Sequence, residues 1–210
     1  MRTIKRILIG LIVIGFMMVL SGAIMKSYQK SKELEALKIE MEGISRQNQL
    51  KKEFKDSLIS EVNNYINKKA PKNRISGEAI IDACIKYNID IKFVLAQAQL
   101  ESGFGTKGIA AKTNSVWNVM SYDGWSANKI IKNGRGYNHP NESIEPYMKL
   151  LKNKYLADGK TEYDMMQKFI SFTGHRYASN PKYEEQLKYI YNRIDKQTNI
   201  DELLNNYLNI

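Results

Sequence analysis

Glu101 closes the run Phe93-Val94-Leu95-Ala96-Gln97-Ala98-Gln99-Leu100-Glu101, and Ser102-Gly103-Phe104-Gly105 follows it. Phe93, Gln97, Leu100 and Glu101 recur at spacings of three and four, which sets them near one face of a helix. Gly103 and Gly105 supply the stop. A carboxyl at the C-terminal end of an apolar helix feels two effects of the same sign. Packing desolvates it, and the negative end of the helix dipole disfavours an anion there. Both favour the neutral acid, which is the form a glycosidase needs to protonate a leaving oxygen. The plainer account is a solvated glutamate at a helix end, and periodicity alone does not separate the two.

Four segments raise the first account. Glu101-Ser102-Gly103-Phe104-Gly105, preceded by Ala96-Gln97-Ala98-Gln99-Leu100, comes first. Asn114-Ser115-Val116-Trp117-Asn118-Val119 is an Asn-rich aromatic turn, and Tyr137 precedes Glu142-Ser143-Ile144 at a Tyr-x(4)-Glu-Ser-Ile spacing. Tyr177-Ala178-Ser179-Asn180-Pro181-Lys182-Tyr183 is the last. In this order they resemble the peptidoglycan endo-β-N-acetylglucosaminidases, the glucosaminidase domains of flagellar and autolysin proteins (glycoside hydrolase family 73). The resemblance covers roughly residues 75–196. It implies a lysozyme-like fold, Glu101 as the general acid, peptidoglycan glycan strands as the substrate and no cofactor.

The resemblance also implies partners for the acid. In that family a second carboxylate often comes from a β element after the catalytic helix. Between Glu101 and Glu142 the one acidic residue is Asp123, in Ser121-Tyr122-Asp123-Gly124-Trp125, where Asp-Gly is also a common turn pair. Glu142 stands at a helix start, where a negative charge is favoured without catalysis. If neither carboxylate acts, the 2-acetamido group of the substrate can attack its own anomeric carbon. Tyr177 is then the candidate to orient that group or water, against the alternative of packing on Tyr183. Trp117, Tyr122 and Trp125 are candidate sugar-contacting aromatics, with Trp117 also serving the turn. Asn114 and Asn118 are candidates for the N-acetyl groups, or for capping turns.

The elements that must position these residues read as mainly helical, an α+β lysozyme-like domain with a small β element beside the catalytic helix. Ser76 caps a helix carrying Ile80, Cys84 and Tyr87, and Asp90 caps the helix of Glu101. Residues 102–141 hold glycine, serine and asparagine without a helical period, which places the β element there. Helices are expected over Glu142–Leu156, Met165–Phe172, Tyr183–Ile194 and Asp201–Tyr207. The domain is assigned to 73–210, after the linker Ala70-Pro71-Lys72-Asn73.

Residues 28–72 read as a helical stalk. Leu34, Leu37, Met41 and Ile44 follow a 3-4-3 spacing, as do short coiled-coil runs through which a chain self-associates weakly. For 54–66 the alternative is an amphipathic helix packed on the domain. Residues 1–27 read as a signal anchor or a cleaved signal peptide. Arg2, Lys5 and Arg6 precede an uncharged run, residues 7–25, that would span about 28 Å as a helix and cross a membrane. That orientation leaves the domain outside the cytoplasm, anchored or, after cleavage, secreted.

Composition bounds the rest. Lys and Arg number 32 against 22 Asp and Glu, a net charge of +10. Such a chain favours anionic partners, and without a basic repeat or nucleic-acid motif the reading is cell wall and not nucleic acid. Cys84, the single cysteine, reads as a buried apolar residue, and two histidines at 139 and 175 match no metal-ligand spacing. Two rivals remain: a muramidase or lytic transglycosylase on the same fold, and a non-catalytic wall-binding scaffold. The transglycosylases follow Glu-Ser with a Gly-Leu-Met-Gln segment where this chain has Asn118-Val119-Met120-Ser121. Against the scaffold stands Glu101, intact within its motif.

Overall fold

In the computed structural model the described residues are 2–119, 136–167 and 176–210, and for 2–14 the helical backbone alone is described. These residues form helices and turns, with no strand among them. The expected β element lies in 102–141, of which 120–135 fall outside the described residues. Asp123, Tyr122 and Trp125 are among those.

The chain divides into two compact units, residues 1–52 and 53–210. The first is helical throughout its described length, part of α1 (Arg2–Lys69). Leu34, Leu37, Met41 and Ile44 are each more than half exposed there, so the apolar row is uncovered. The expected membrane span over 7–25 is corrected: among the described residues no helix is long and apolar enough to cross a membrane. The side chains of 7–14 are outside the description, and from Gly15 the uncharged run reaches Met25 before Lys26 and a charged sequence end it.

The second unit surrounds one helix. Ser76 caps α2 (Gly77–Tyr87), its side chain accepting from the Ala79 amide at 3.3 Å. Asp90 caps α3 (Ile91–Ser102) and accepts from the Phe93 amide at 3.0 Å. Every residue of α3 from Ile91 to Ala98 is buried, Lys92 and Gln97 included. A helix that is apolar all round belongs inside a protein, so α3 is wrapped and not merely one-faced. Leu58, Val62 and Ile66 from the last turns of α1 are fully buried in the same core as Phe93, Leu95, Trp117 and Tyr147.

After α3 the chain turns sharply. Gly103 takes φ of 55°, a left-handed backbone that costs glycine little. Phe104 follows at φ 58° and is nevertheless fully buried, edge-on to Tyr65. Then α4 (Ala110–Thr113) forms a single turn. Gly136 passes so close to it that a Cβ would lie 2.3 Å from the Thr113 carbonyl oxygen, so any side chain is excluded there. A 3-10 turn (Pro140–Ser143) leads into α5 (Ile144–Leu150), which continues as a π-helical turn, Leu151–Tyr155. Next is α6 (Glu162–Met165), with a capping box between Thr161 and Asp164. The helix expected over Met165–Phe172 thus starts three residues earlier, because Thr161 supplies the cap, and residues 168–172 are outside the described set. Finally α7 (Tyr183–Gln197) lies along α3, and α8 (Ile200–Leu208) ends the chain.

Lys92 fastens α3 to the last two helices. Its Nζ stands 2.6 Å from Asp195 and 2.5 Å from Asp201, over the ring of Tyr191. The Tyr191 hydroxyl in turn donates to Asp90 at 2.8 Å.

Candidate active site

The end of α3 opens on a cleft of about 310 Å³. Glu101 contributes its wall, with Trp117, Asn118, Tyr155, Tyr177 and Ser179. The aromatic sides come from separate elements: Tyr155 from the π-helical turn, Tyr177 from the segment before α7. Tyr177 packs on Tyr155 with ring centres 4.9 Å apart and on Tyr183 at 5.6 Å. Arg176 pairs with Glu184 in the first turn of α7, its Nε 2.8 Å from the carboxylate, and so ties the Tyr177 segment to that helix.

Each oxygen of Glu101 has its own neighbour. The Tyr183 hydroxyl donates to Oε1 at 2.7 Å. The Asn118 amide nitrogen lies 3.5 Å from Oε2 and donates at 2.9 Å to the Glu101 backbone carbonyl. Burial pushes the carboxyl above the usual carboxylate range, and the hydrogen bonds from Tyr183 and Asn118 oppose it without cancelling it. Behind Tyr183 stands Gln97, one helical turn before Glu101 on α3. Its Nε2 donates to the Tyr183 hydroxyl at 3.1 Å, and its Oε1 accepts from the Tyr147 hydroxyl.

Asn118 sits at φ 51°, a backbone that asparagine tolerates better than most residues. Its Oδ1 is buried without a hydrogen-bond partner, so a bare acceptor stands beside the acid. Ser102, adjacent to Glu101, holds the acid-bearing turn to the Trp117 segment. Its hydroxyl donates to the Val116 carbonyl at 2.6 Å and accepts from the Gly105 amide at 2.7 Å.

The structure therefore gathers Glu101, Asn118 and Tyr177 at one cleft. Trp117 borders it but is 1 % exposed, stacked on Tyr147 at 4.4 Å, with its indole N–H given to the Val94 carbonyl. Its stacking on Tyr147 and its one donor thus serve the core, while the residue still borders the cleft. Asn114 shows the turn-capping alternative. It ends α4 at φ 55°, donates to the Tyr137 carbonyl at 2.7 Å, accepts from Arg74 and does not line the cleft. Glu142 accepts from the Asn138 amide at 3.2 Å, a turn contact. Tyr183, Gln97 and Tyr147 join the site without being candidates for it from the sequence. The signals existed in the closing tyrosine of the Tyr177–Tyr183 segment and in Gln97 four residues before the acid.

Among the described residues no cluster of His, Cys, Asp or Glu could hold a metal ion. The sequence model of a family described as mannosyl-glycoprotein endo-beta-N-acetylglucosaminidase, the glucosaminidase family, matches residues 77–196. The chain belongs to the glucosaminidase family. It is a glycoside hydrolase, and the match takes in the helices α2, α3 and α5 and most of α7 of the glucosaminidase domain. Among curated proteins none matches the chain.

Proposed function

We propose that this glucosaminidase hydrolyses the β-1,4 bond from N-acetylglucosamine to N-acetylmuramic acid in peptidoglycan strands, with Glu101 as the general acid. The observation that carries it is a part-buried carboxyl, the one acid among the described residues lining an aromatic-sided cleft, held toward its neutral form. Glu101 gives its proton to the glycosidic oxygen as the bond to the anomeric carbon lengthens. The positive charge that develops there is met by water or by the substrate's own 2-acetamido oxygen. Tyr177 is the residue assigned to orient that group, and Asn118, at the cleft wall, is assigned to the N-acetyl group. A role for Asp123 as a second carboxylate is the alternative for the same step. Because its substrate lies there, we place the enzyme outside the cytoplasm. The uncovered row Leu34, Leu37, Met41 and Ile44 supports self-association of the stalk.

Digestion of purified peptidoglycan followed by mass spectrometry of the reduced products tests the bond. New N-acetylglucosamine reducing ends support the proposal. N-acetylmuramic acid or 1,6-anhydro ends replace it with a muramidase or a transglycosylase.

A further inference from the structure

Behind Glu101 three uncharged polar side chains run in series. Tyr147, Gln97 and Tyr183 are buried on α5, α3 and α7, and none of them lines the cleft. Their hydrogen-bonding capacities differ. A hydroxyl has one proton to give, an amide nitrogen only gives, and an amide oxygen only accepts.

The direction is set at the far end. The Tyr147 side chain is fully buried, and among the described residues its hydroxyl has one acceptor, Gln97 Oε1. With its oxygen turned to Tyr147, Gln97 presents Nε2 to Tyr183 at 3.1 Å. An amide nitrogen accepts nothing, so the one proton of Tyr183 goes to Glu101 Oε1, at 2.7 Å. The opposite order would pass the proton of Glu101 to Tyr183 and that of Tyr183 to Gln97. It would strand the Tyr147 proton in the core, and a buried donor left unpaired costs more than a made bond gains.

We propose that Tyr147, Gln97 and Tyr183 form a one-way donor chain that keeps Glu101 Oε1 an acceptor and assigns the transferable proton to Oε2, on the Asn118 side. The three are positioning residues, and the proposal rests on Glu101 being the general acid. Glu101 is faced by Tyr147 from α5, by Tyr177 from the segment before α7, by Tyr183 from α7 and by Asn118 from the turn after α3. Among the described residues no cationic side chain pairs with it, so burial sets its protonation against uncharged hydrogen-bond donors.

The chain makes a remote hydroxyl govern the acid. Tyr147→Phe keeps the ring on Trp117 and removes the proton that orients Gln97. The amide is then free to turn its oxygen to Tyr183, which gives its proton there and withdraws it from Glu101. Since that hydrogen bond favours the carboxylate, its loss raises the titration midpoint of Glu101.

The test is carboxyl NMR of the full chain labelled with ¹³C-glutamate, with the Glu101 signal assigned by its disappearance in Glu101→Gln. Tyr183→Phe should raise the Glu101 midpoint by about one pH unit, the scale of a hydrogen bond to a charged group. Tyr147→Phe should raise it by about half a unit or more. In a Tyr183→Phe background, Tyr147→Phe should add nothing. An unmoved midpoint in Tyr147→Phe with an unchanged melting curve overturns the proposal. So does a Tyr147→Phe shift of equal size with and without Tyr183. The titration is read on the resting protein, so it is decided independently of whether Glu101→Gln abolishes hydrolysis.

Discussion

Glu101 is held between opposed influences, and burial is the larger. General acid catalysis needs the protonated form, so activity falls as pH rises through its elevated titration. Glu101→Gln keeps shape and polarity without a transferable proton and should lower hydrolysis at least about 100-fold. The same substitution has a stability signature. Between the ordinary carboxylate value and the raised one, the folded protein holds a proton that the unfolded chain has released. Stability therefore declines as pH rises across that window, and the full deficit persists above it. Glu101→Gln should melt higher than the wild type at pH 7 and show no such gain near pH 3. Melting curves at both pH values check this, and an equal difference at the two would contradict it. For the second half of the reaction, Tyr177→Phe and Asp123→Asn separate the two routes on purified glycan strands. Acetamido or water attack predicts the larger loss for Tyr177→Phe, and a carboxylate partner predicts collapse for Asp123→Asn. At this scale Glu101 was legible because its neighbours in sequence carry the signal. Tyr183 was not, since its contact with the acid spans 82 positions and exists only once α7 lies along α3.

The helix that carries the acid is fixed at both ends by different means. At its N-terminus Asp90 caps the backbone and Lys92 reaches Asp195 and Asp201. Asp195→Asn together with Asp201→Asn would leave the Lys92 ammonium buried without a counter-charge. The cost should be about 2 kcal/mol, below that of a fully buried pair because both aspartates stay half in water. Either single change should be mild, and chemical denaturation of the three variants checks it. At the other end Ser102→Ala strands the Gly105 amide and the Val116 carbonyl partner, a loss of about 1–3 kcal/mol. The helix starts were legible from Ser76 and Asp90, and the stop from Gly103, because a cap is a local interaction. Burial of Trp117 was not, because a tryptophan in a polar segment reads the same whether its faces meet sugar or Tyr147. The π-helical turn that brings Tyr155 to the cleft leaves no mark in the apolar spacing of its helix.

The compact unit begins at Glu53, within the stretch read as stalk. Leu58, Val62 and Ile66 are fully buried in its core, so the last turns of α1 are part of that core. A chain shortened to 53–210 should therefore keep a cooperative melting transition, and one shortened to 70–210 should lose it. Replacing a single buried leucine by alanine already costs about 2–5 kcal/mol. Calorimetry of the two chains decides it.

Among the described residues the acid's partners are uncharged, and this separates two responses that usually move together. Mobile ions screen charge against charge at the surface and hardly affect fixed dipoles in a core. The chain's net charge of +10 offers many such surface charges to an acidic polymer. Raising sodium chloride from 10 mM to 500 mM should then weaken capture of the polymer while leaving the alkaline edge of kcat where it was. Recognition and proton transfer in this molecule answer to different solvents: one to the ionic medium outside, the other to a row of hydroxyls and an amide that the medium does not reach.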